Sequence, residues 1–331
     1  MNDVPYAAHH NEGMNASIPA APALAATALP AAMGAVRLND WGLIRATGAE
    51  ARKFLHGQLT QDMEGLVVGR ARLAGYCSPK GRLLATFVVW AGAGDEVVLA
   101  CSADLLPSVL KRLSMFVMRA QCKLSDASAE IPLWGLTGKP GPAVDAAVWD
   151  CGSSGAGQWV RLPDGVADGQ PVPRWLWAGE APVDAASLAH DVWLGLEVSS
   201  GVARVVAATS EQFVPQMINL ELVGGVNFNK GCFPGQEVVA RSQYRGTLKR
   251  RAQIVSSAVT LQPGQEVFHD ADPGQPAGLV VLAGQLPGAA SVALIEVKLA
   301  ALGSGSLHLA AADGPRLQLG ALPYAIPADA P

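Results

Sequence analysis

The sequence predicts an α+β protein that ends in a small antiparallel β-barrel. Three observations carry this reading. Strand-like apolar runs alternate with helix-spaced ones from residue 40 to about 250. After Arg251 the chain breaks into short β-rich pieces separated by Pro-Gly and Gly-rich turns. With 331 residues, 50% hydrophobic and 16% charged, it can bury a large core.

Residues 1–34 read as a disordered leader. They are rich in Ala, Pro and Asn, and Pro19, Pro22 and Pro30 prevent a continuous apolar face. Neither the basic start of a secretory signal nor the arginines of a mitochondrial one is present, so the cytoplasm is the expected location. Residues 43–45 form a short strand, and Thr47-Gly48-Ala49-Glu50 has capping-box spacing ahead of a helix through Phe54 and Leu55. Runs 72–77 and 82–90 pair as a hairpin around Ser78-Pro79-Lys80-Gly81. A strand follows at 96–101. Leu106, Val109, Leu110 and Leu113 give helical spacing to 105–116, and 118–124 returns to extended structure.

Residues 123–183 form a divergent, Gly- and Pro-punctuated subdomain with strands at 159–162 and 175–178. A helix over 185–196 follows, with Asp184 as its cap. The barrel pieces are 252–255, 266–269, 279–283, 291–299 and 306–309. The domain reading is therefore 35–248 for two α+β subdomains and 249–331 for the barrel.

Charge and cysteine usage narrow the function. Twenty-four Lys and Arg against 28 Asp and Glu give −4, so no global basic field draws the chain to nucleic acid or an anionic membrane. No apolar run reaches the roughly 18–20 residues of a membrane span. Five cysteines without a CxxC pair read as reduced thiols, with no metal-ligand spacing. There is no HExxH, no GxSxG and no complete phosphate loop, since Gly138-Lys139 is followed by Pro140.

The most informative segment runs from Gly224 to Arg241 and contains Lys230-Gly231-Cys232-Phe233-Pro234-Gly235-Gln236-Glu237. It reads as a strand ending near Phe228, a glycine-rich turn, and a helix from about Gly235. Cys232 would then lie beside helix-start amides and near Lys230, and both favour a thiolate. Cys77, Cys101, Cys122 and Cys151, in or beside apolar strands, read as small buried hydrophobes. Without a histidine beside Cys232 in sequence, spacing alone leaves a reactive and a structural role open.

This segment resembles the KGCYxGQE signature of the YgfZ family of folate-binding proteins, relatives of the glycine-cleavage T-protein. Lys230, Gly231, Cys232, Gly235, Gln236, Glu237 and Arg241 fall in place, while Phe233 stands where Tyr is usual and Pro234 where a small polar residue is common. The resemblance extends over Phe54-Leu55-His56-Gly57-Gln58-Leu59-Thr60-Gln61-Asp62, over Tyr76-Cys77-Ser78-Pro79-Lys80-Gly81-Arg82 and over Phe213-Val214-Pro215-Gln216-Met217-Ile218-Asn219-Leu220. It implies a ring of three subdomains with the C-terminal barrel as one of them. The ligand it implies is tetrahydrofolate or a derivative in the central opening.

The resemblance further implies an accessory role in assembly or repair of iron–sulfur enzymes, including tRNA-modifying ones, with Cys232 as the reactive thiol and Lys230 beside it. A folate site combines a carboxylate, apolar walls and basic groups. Glu197 matches the position of a pterin-binding glutamate, and Gln236, Glu237, Arg241, Lys80 and Arg82 are the further candidates. T-proteins carry an acidic run after the hairpin turn where this chain has Ala85-Thr86, which disfavours aminomethyl transfer and points to a non-enzymatic factor. Two other readings stand beside it. One is a folate-dependent one-carbon transferase with another acceptor. The other is a tRNA-binding or tRNA-modification factor acting through the cluster Arg241, Arg245, Lys249, Arg250 and Arg251.

Overall fold

The computed structural model describes residues 31–138, 142–143, 145–155, 157–182, 186–244, 248–287 and 291–327. Residues 1–30 of the leader, Asp184 and Arg245 lie outside them. Strand β1 (Gly34–Arg37) is followed by β2 (Trp41–Thr47), helix α1 (Ala51–His56), β3 (Arg72–Cys77), β4 (Leu83–Ala91), β5 (Val97–Ser102), helix α2 (Leu106–Val117) and β6 (Lys123–Asp126). Strands β2 to β6 form one antiparallel sheet in the order β3-β4-β5-β2-β6. Its central strands are apolar on both faces. Ile44, Phe87, Val89 and Leu99 pack toward α1 and α2, while Leu43, Val88, Trp90 and Val98 pack toward a second sheet.

That second sheet contains β1, β7 (Leu133–Thr137), β8 (Cys151–Ser154), β9 (Gly157–Ala167) and β10 (Gln170–Gly179), in the order β1-β7-β10-β9-β8. Strands β9 and β10 form a hairpin whose register shifts between Val172 and Arg174, opposite Pro163. Proline cannot donate a ladder bond, so Pro173, between the two shifted pairs, and Pro163 opposite it coincide with a bulge. Helix α3 (His190–Ser199) follows, and then α4 (Gln236–Tyr244).

The C-terminal part is a closed barrel of β11 (Arg250–Ser257), β12 (Glu266–His269), β13 (Gly278–Gln285), β14 (Ser291–Lys298), β15 (Leu307–Leu309) and β16 (Arg316–Leu319), ordered β11-β14-β13-β12-β15-β16. Its interior holds Val255, Val267, Val280, Ile295 and Val297. The expected α+β architecture with a terminal antiparallel barrel is thus present, and β16 joins the strands read from the sequence.

Helix α3 is the joint between parts. Fully buried Trp193 lies flat on β7 where Gly135 leaves room, a Cβ there falling 2.5 Å from the indole. On the other side Gly195 meets β13, where a Cβ would fall 2.6 Å from the Gln285 carbonyl carbon. Only glycine permits so close a backbone approach.

Three local expectations are corrected. The capping box does not form, because Thr47 belongs to β2 opposite Lys123, and Glu50 instead accepts a hydrogen bond from the Gln121 amide (2.7 Å). Helix α3 starts at His190 rather than 185, because the backbone before it is tied to β1: the Ala35 amide donates to Ala186 O and the Leu188 amide to Ala35 O. Within 118–124, only 123–124 belong to a strand, since Met118 takes φ 44° at the end of α2.

Candidate functional site

Two places hold the chemistry that the sequence singled out. The first is a crevice between the sheets, lined by Trp41, Thr86, Val88, Trp149, Leu162, Pro163, Arg174, Glu197, Ala203 and Arg204 among others. About 30 Å³ of it admits a water-sized sphere, within about 400 Å³ of space that includes the open mouth. Trp149 reaches the wall from a left-handed backbone (φ 70°), a conformation that costs a bulky residue about 1–3 kcal/mol.

Glu197 is the single carboxylate of this lining and is buried near the end of α3. It accepts from Arg204 Nε (2.8 Å) and Nη2 (3.1 Å), a bidentate pair. Arg204 also donates to Asp40 Oδ2 (2.7 Å) and Ser102 Oγ (2.7 Å), and its guanidinium lies 4.8 Å from the Trp41 ring. Asp40 Oδ1 in turn meets His190 Nε2 at 2.8 Å. Burial alone would raise the Asp40 pKa, but the bonds and charges of His190 and Arg204 outweigh it and hold the carboxyl below its ordinary value. His190 is raised, chiefly by its bond to Asp40.

The second place is the Lys230–Gly235 turn. Cys232 is exposed, while Cys77, Cys101 and Cys151 are buried, with thiols pushed by burial to about 12, about 12 and about 11. Cys122, read as buried, is half-buried. The expected strand near Phe228 is absent: 226–235 is a turn held by the Asn227 amide donating to Thr60 O (2.9 Å). Helix α4 begins only at Gln236, so Cys232 lies four residues before it rather than beside its first amides.

Lys230 donates to the backbone oxygens of His56 and Leu59, the latter at 2.8 Å, and lies 5.0 Å above the Phe233 ring. Burial pulls its pKa down to about 8, opposed by the charges of Asp62, Cys232 and Glu64. The turn is seated on the β3–β4 hairpin through Gly235, where a Cβ would fall 2.6 Å from Gly81 Cα.

The fold brings a histidine from another segment against this turn. His56 Nδ1 lies 3.0 Å from Asp62 Oδ1, and Asp62 is fixed by the Gly65 amide (3.0 Å) and by Arg72 (3.1 Å). The other ring nitrogen faces the turn, 3.3 Å from where a Cβ on Gly231 would stand. Both residues fall in the 54–62 segment that carries part of the resemblance.

The remaining candidates lie outside the crevice lining. Arg241 and Glu237 are exposed and pair with each other on α4 (2.7 Å), Gln236 opens that helix, Lys80 is exposed at the hairpin tip, and Arg82 ties the hairpin to Gln212 O. Two members of the basic cluster are drawn out of solvent exposure onto carboxylates. Arg251, read with the solvated charges, is buried against Glu221, and Arg250 pairs with buried Glu296 (Nη2 to Oε2, 2.9 Å). Periodicity could not show this, since both carboxylates come from other elements. Arg174, Arg204 and Trp41 were also not singled out in the sequence.

No helix among the described residues is long and apolar enough to cross a membrane. No protein-family model matches the chain. It is 31% identical over 262 residues to the tRNA-modifying protein YgfZ of Edwardsiella ictaluri, covering 72% of this chain and 74% of that relative. It is 30% identical over 238 residues to the tRNA-modifying protein YgfZ of Hamiltonella defensa, covering 65% and 67%. Among solved structures, the glycine cleavage system aminomethyltransferase T from Bartonella henselae superposes with a TM-score of 0.66 over 89% of each chain at 16% identity. The paired sheets, the closed barrel and these two relatives together place the chain in the YgfZ family, on the fold of aminomethyltransferase T.

Proposed function

We propose that this protein is a folate-binding factor that supports iron–sulfur enzymes, including those that modify tRNA, with a reduced folate in the crevice and Cys232 as its reactive thiol. The observation that carries the reading is the buried Glu197 carboxylate in an otherwise largely apolar crevice of this fold, with buried Trp41 and Arg174 nitrogens in the same walls that have no hydrogen-bond partner. Such a lining suits a flat heterocycle with both donors and acceptors on its edge. Glu197, Arg174 and the apolar walls would hold the ring. Strand β4 runs from the crevice at Thr86 toward the hairpin on which the Cys232 turn sits, about 17 Å by strand rise. The tail of the ligand would follow that path.

A bound reduced folate supplies a one-carbon unit or reducing capacity. This chain's own residues bind the ring, shield it between two sheets, and present a sulfur beside the Lys230 ammonium and the His56–Asp62 pair. One-carbon transfer in the manner of aminomethyltransferase T is not favoured, because the β4 residues lining the crevice are Thr86, Phe87 and Val88, none of them acidic, and the Thr86 hydroxyl accepts from the Val205 amide (3.0 Å). RNA contact through this cluster is not favoured either, since Arg250 and Arg251 are each held by a buried carboxylate.

Calorimetric titration with 5-formyltetrahydrofolate tests the ligand, and Glu197→Gln is expected to weaken binding at least about tenfold. Cys232→Ala, expressed in a strain lacking the protein, is expected to leave modification by iron–sulfur tRNA enzymes at the level of the deletion. Full restoration by that variant would remove the thiol from the mechanism.

A further inference from the structure

Arg174 is nearly completely buried, yet its Nη1 has no hydrogen-bond partner. Nε donates to Pro163 O (3.1 Å), and the guanidinium lies 5.1 Å from the Trp193 ring. The β9–β10 register shift at Val172/Arg174 sits at this residue, and such bulges re-aim side chains beside binding sites. In the same lining, Trp41 Nε1 is a second buried donor without a partner. Buried donors are nearly always satisfied, and the roughly 30 Å³ between the walls has space for about two waters, which a ligand oxygen could replace.

Glu197 accepts hydrogen bonds, and Arg174 can only donate them. The crevice therefore presents an acceptor and a donor to whatever enters. A 4-oxo pterin carries the complementary pair on adjacent atoms, an N3–H donor and an O4 acceptor. A 4-amino pterin carries the reverse pair: its amino group would meet the guanidinium, donor against donor, and its N3 lone pair would face the carboxylate.

Resting on the folate reading above, we infer that Arg174, assisted by Trp41, is the specificity-determining residue that selects the 4-oxo form of the bound pterin. Sites built to hydrogen-bond a polar group reject analogues that cannot reciprocate far more strongly than apolar pockets reject shape changes.

The test is tryptophan-fluorescence titration of the full chain, under anaerobic conditions, with tetrahydrofolate and tetrahydroaminopterin, which differ at C4 alone. The expected result is at least about 100-fold tighter binding of the oxo compound. Arg174→Met, which fills a similar volume, is expected to reduce that ratio below about fivefold by weakening the oxo form. Equal affinity of the two compounds for the natural protein, or an unchanged ratio in a folded Arg174→Met, overturns the inference and leaves the folate reading standing. Binding of neither compound overturns both. Should Arg174→Met not fold, Trp41→Phe and the natural protein's own ratio still decide.

Discussion

At the scale of single residues, the Lys230 ammonium and the Cys232 sulfur act on each other through space near the protein surface. The attraction favours the charged forms of both groups and is weakened by solvent. Lys230→Met should therefore slow iodoacetamide alkylation of Cys232 about two- to fivefold at pH 7, followed by mass spectrometry. Because the amine titrates near 8, the difference should shrink above that pH, and a constant ratio up to pH 9.5 would contradict the assignment. In the crevice, Glu197→Gln or Arg204→Met each leaves a buried charge with fewer partners. Each should cost about 3 kcal/mol in urea unfolding, at the low end of such losses for Glu197→Gln because Asp40 still pairs with Arg204. Lys230 and Cys232 were legible because they are contiguous in a recognisable segment. Arg174, Arg204 and Trp41 were not, since a bulge, a loop and the start of β2 bring them together from positions with no shared period. Arg251 shows the converse: adjacent charges suggested a solvated face, but Glu221, 30 residues earlier, draws this one into the interior.

At the scale of elements, the reactive turn depends on a glycine rather than on a side chain. Gly235 has φ +80° and its α-hydrogen side presses on the backbone of Ser78 and Gly81, whereas Gly224 has the same φ +80° with nothing within 4 Å. Gly224→Ala should thus cost only the left-handed strain, about 1 kcal/mol. Gly235→Ala should cost more than about 2 kcal/mol and loosen the Cys232 turn, read as faster amide exchange over 230–235 in that variant alone. Equal losses for the two would mean that the turn is not seated on the hairpin. Strands and the α2 helix followed from apolar periodicity, which is a local property. The start of α3 and the missing cap of α1 did not, because β1 and the 120–122 loop claim those backbone groups first.

At the scale of the whole molecule, Asp40, Arg204 and Glu197 connect the first sheet to α3, and His190 closes the chain of contacts. Asp40 is depressed, so its contribution to stability is complete above its unfolded value near 3.8 and is lost as pH falls through the folded one. His190 is raised, so its contribution is complete below its unfolded value near 6.5 and is lost as pH rises through the folded one. Thermal unfolding should therefore be most favourable to the native state between these limits, and His190→Gln should flatten the decline on the alkaline side while the acid side persists. An alkaline decline identical in that variant would assign it to another group. The layered architecture was readable from the order of strands and helices, but the closeness of its parts rests on Gly135 and Gly195, whose lack of a side chain carries no periodic signal. Helix α3 is gripped on opposite flanks by a sheet and by the barrel wall, and it carries the one acid that faces the crevice. Severing the last eighty or so residues would thus strip away more than a neighbour: the groove beside Gly195 would be left bare to water, and Glu197 would lose the wall that holds its helix in place.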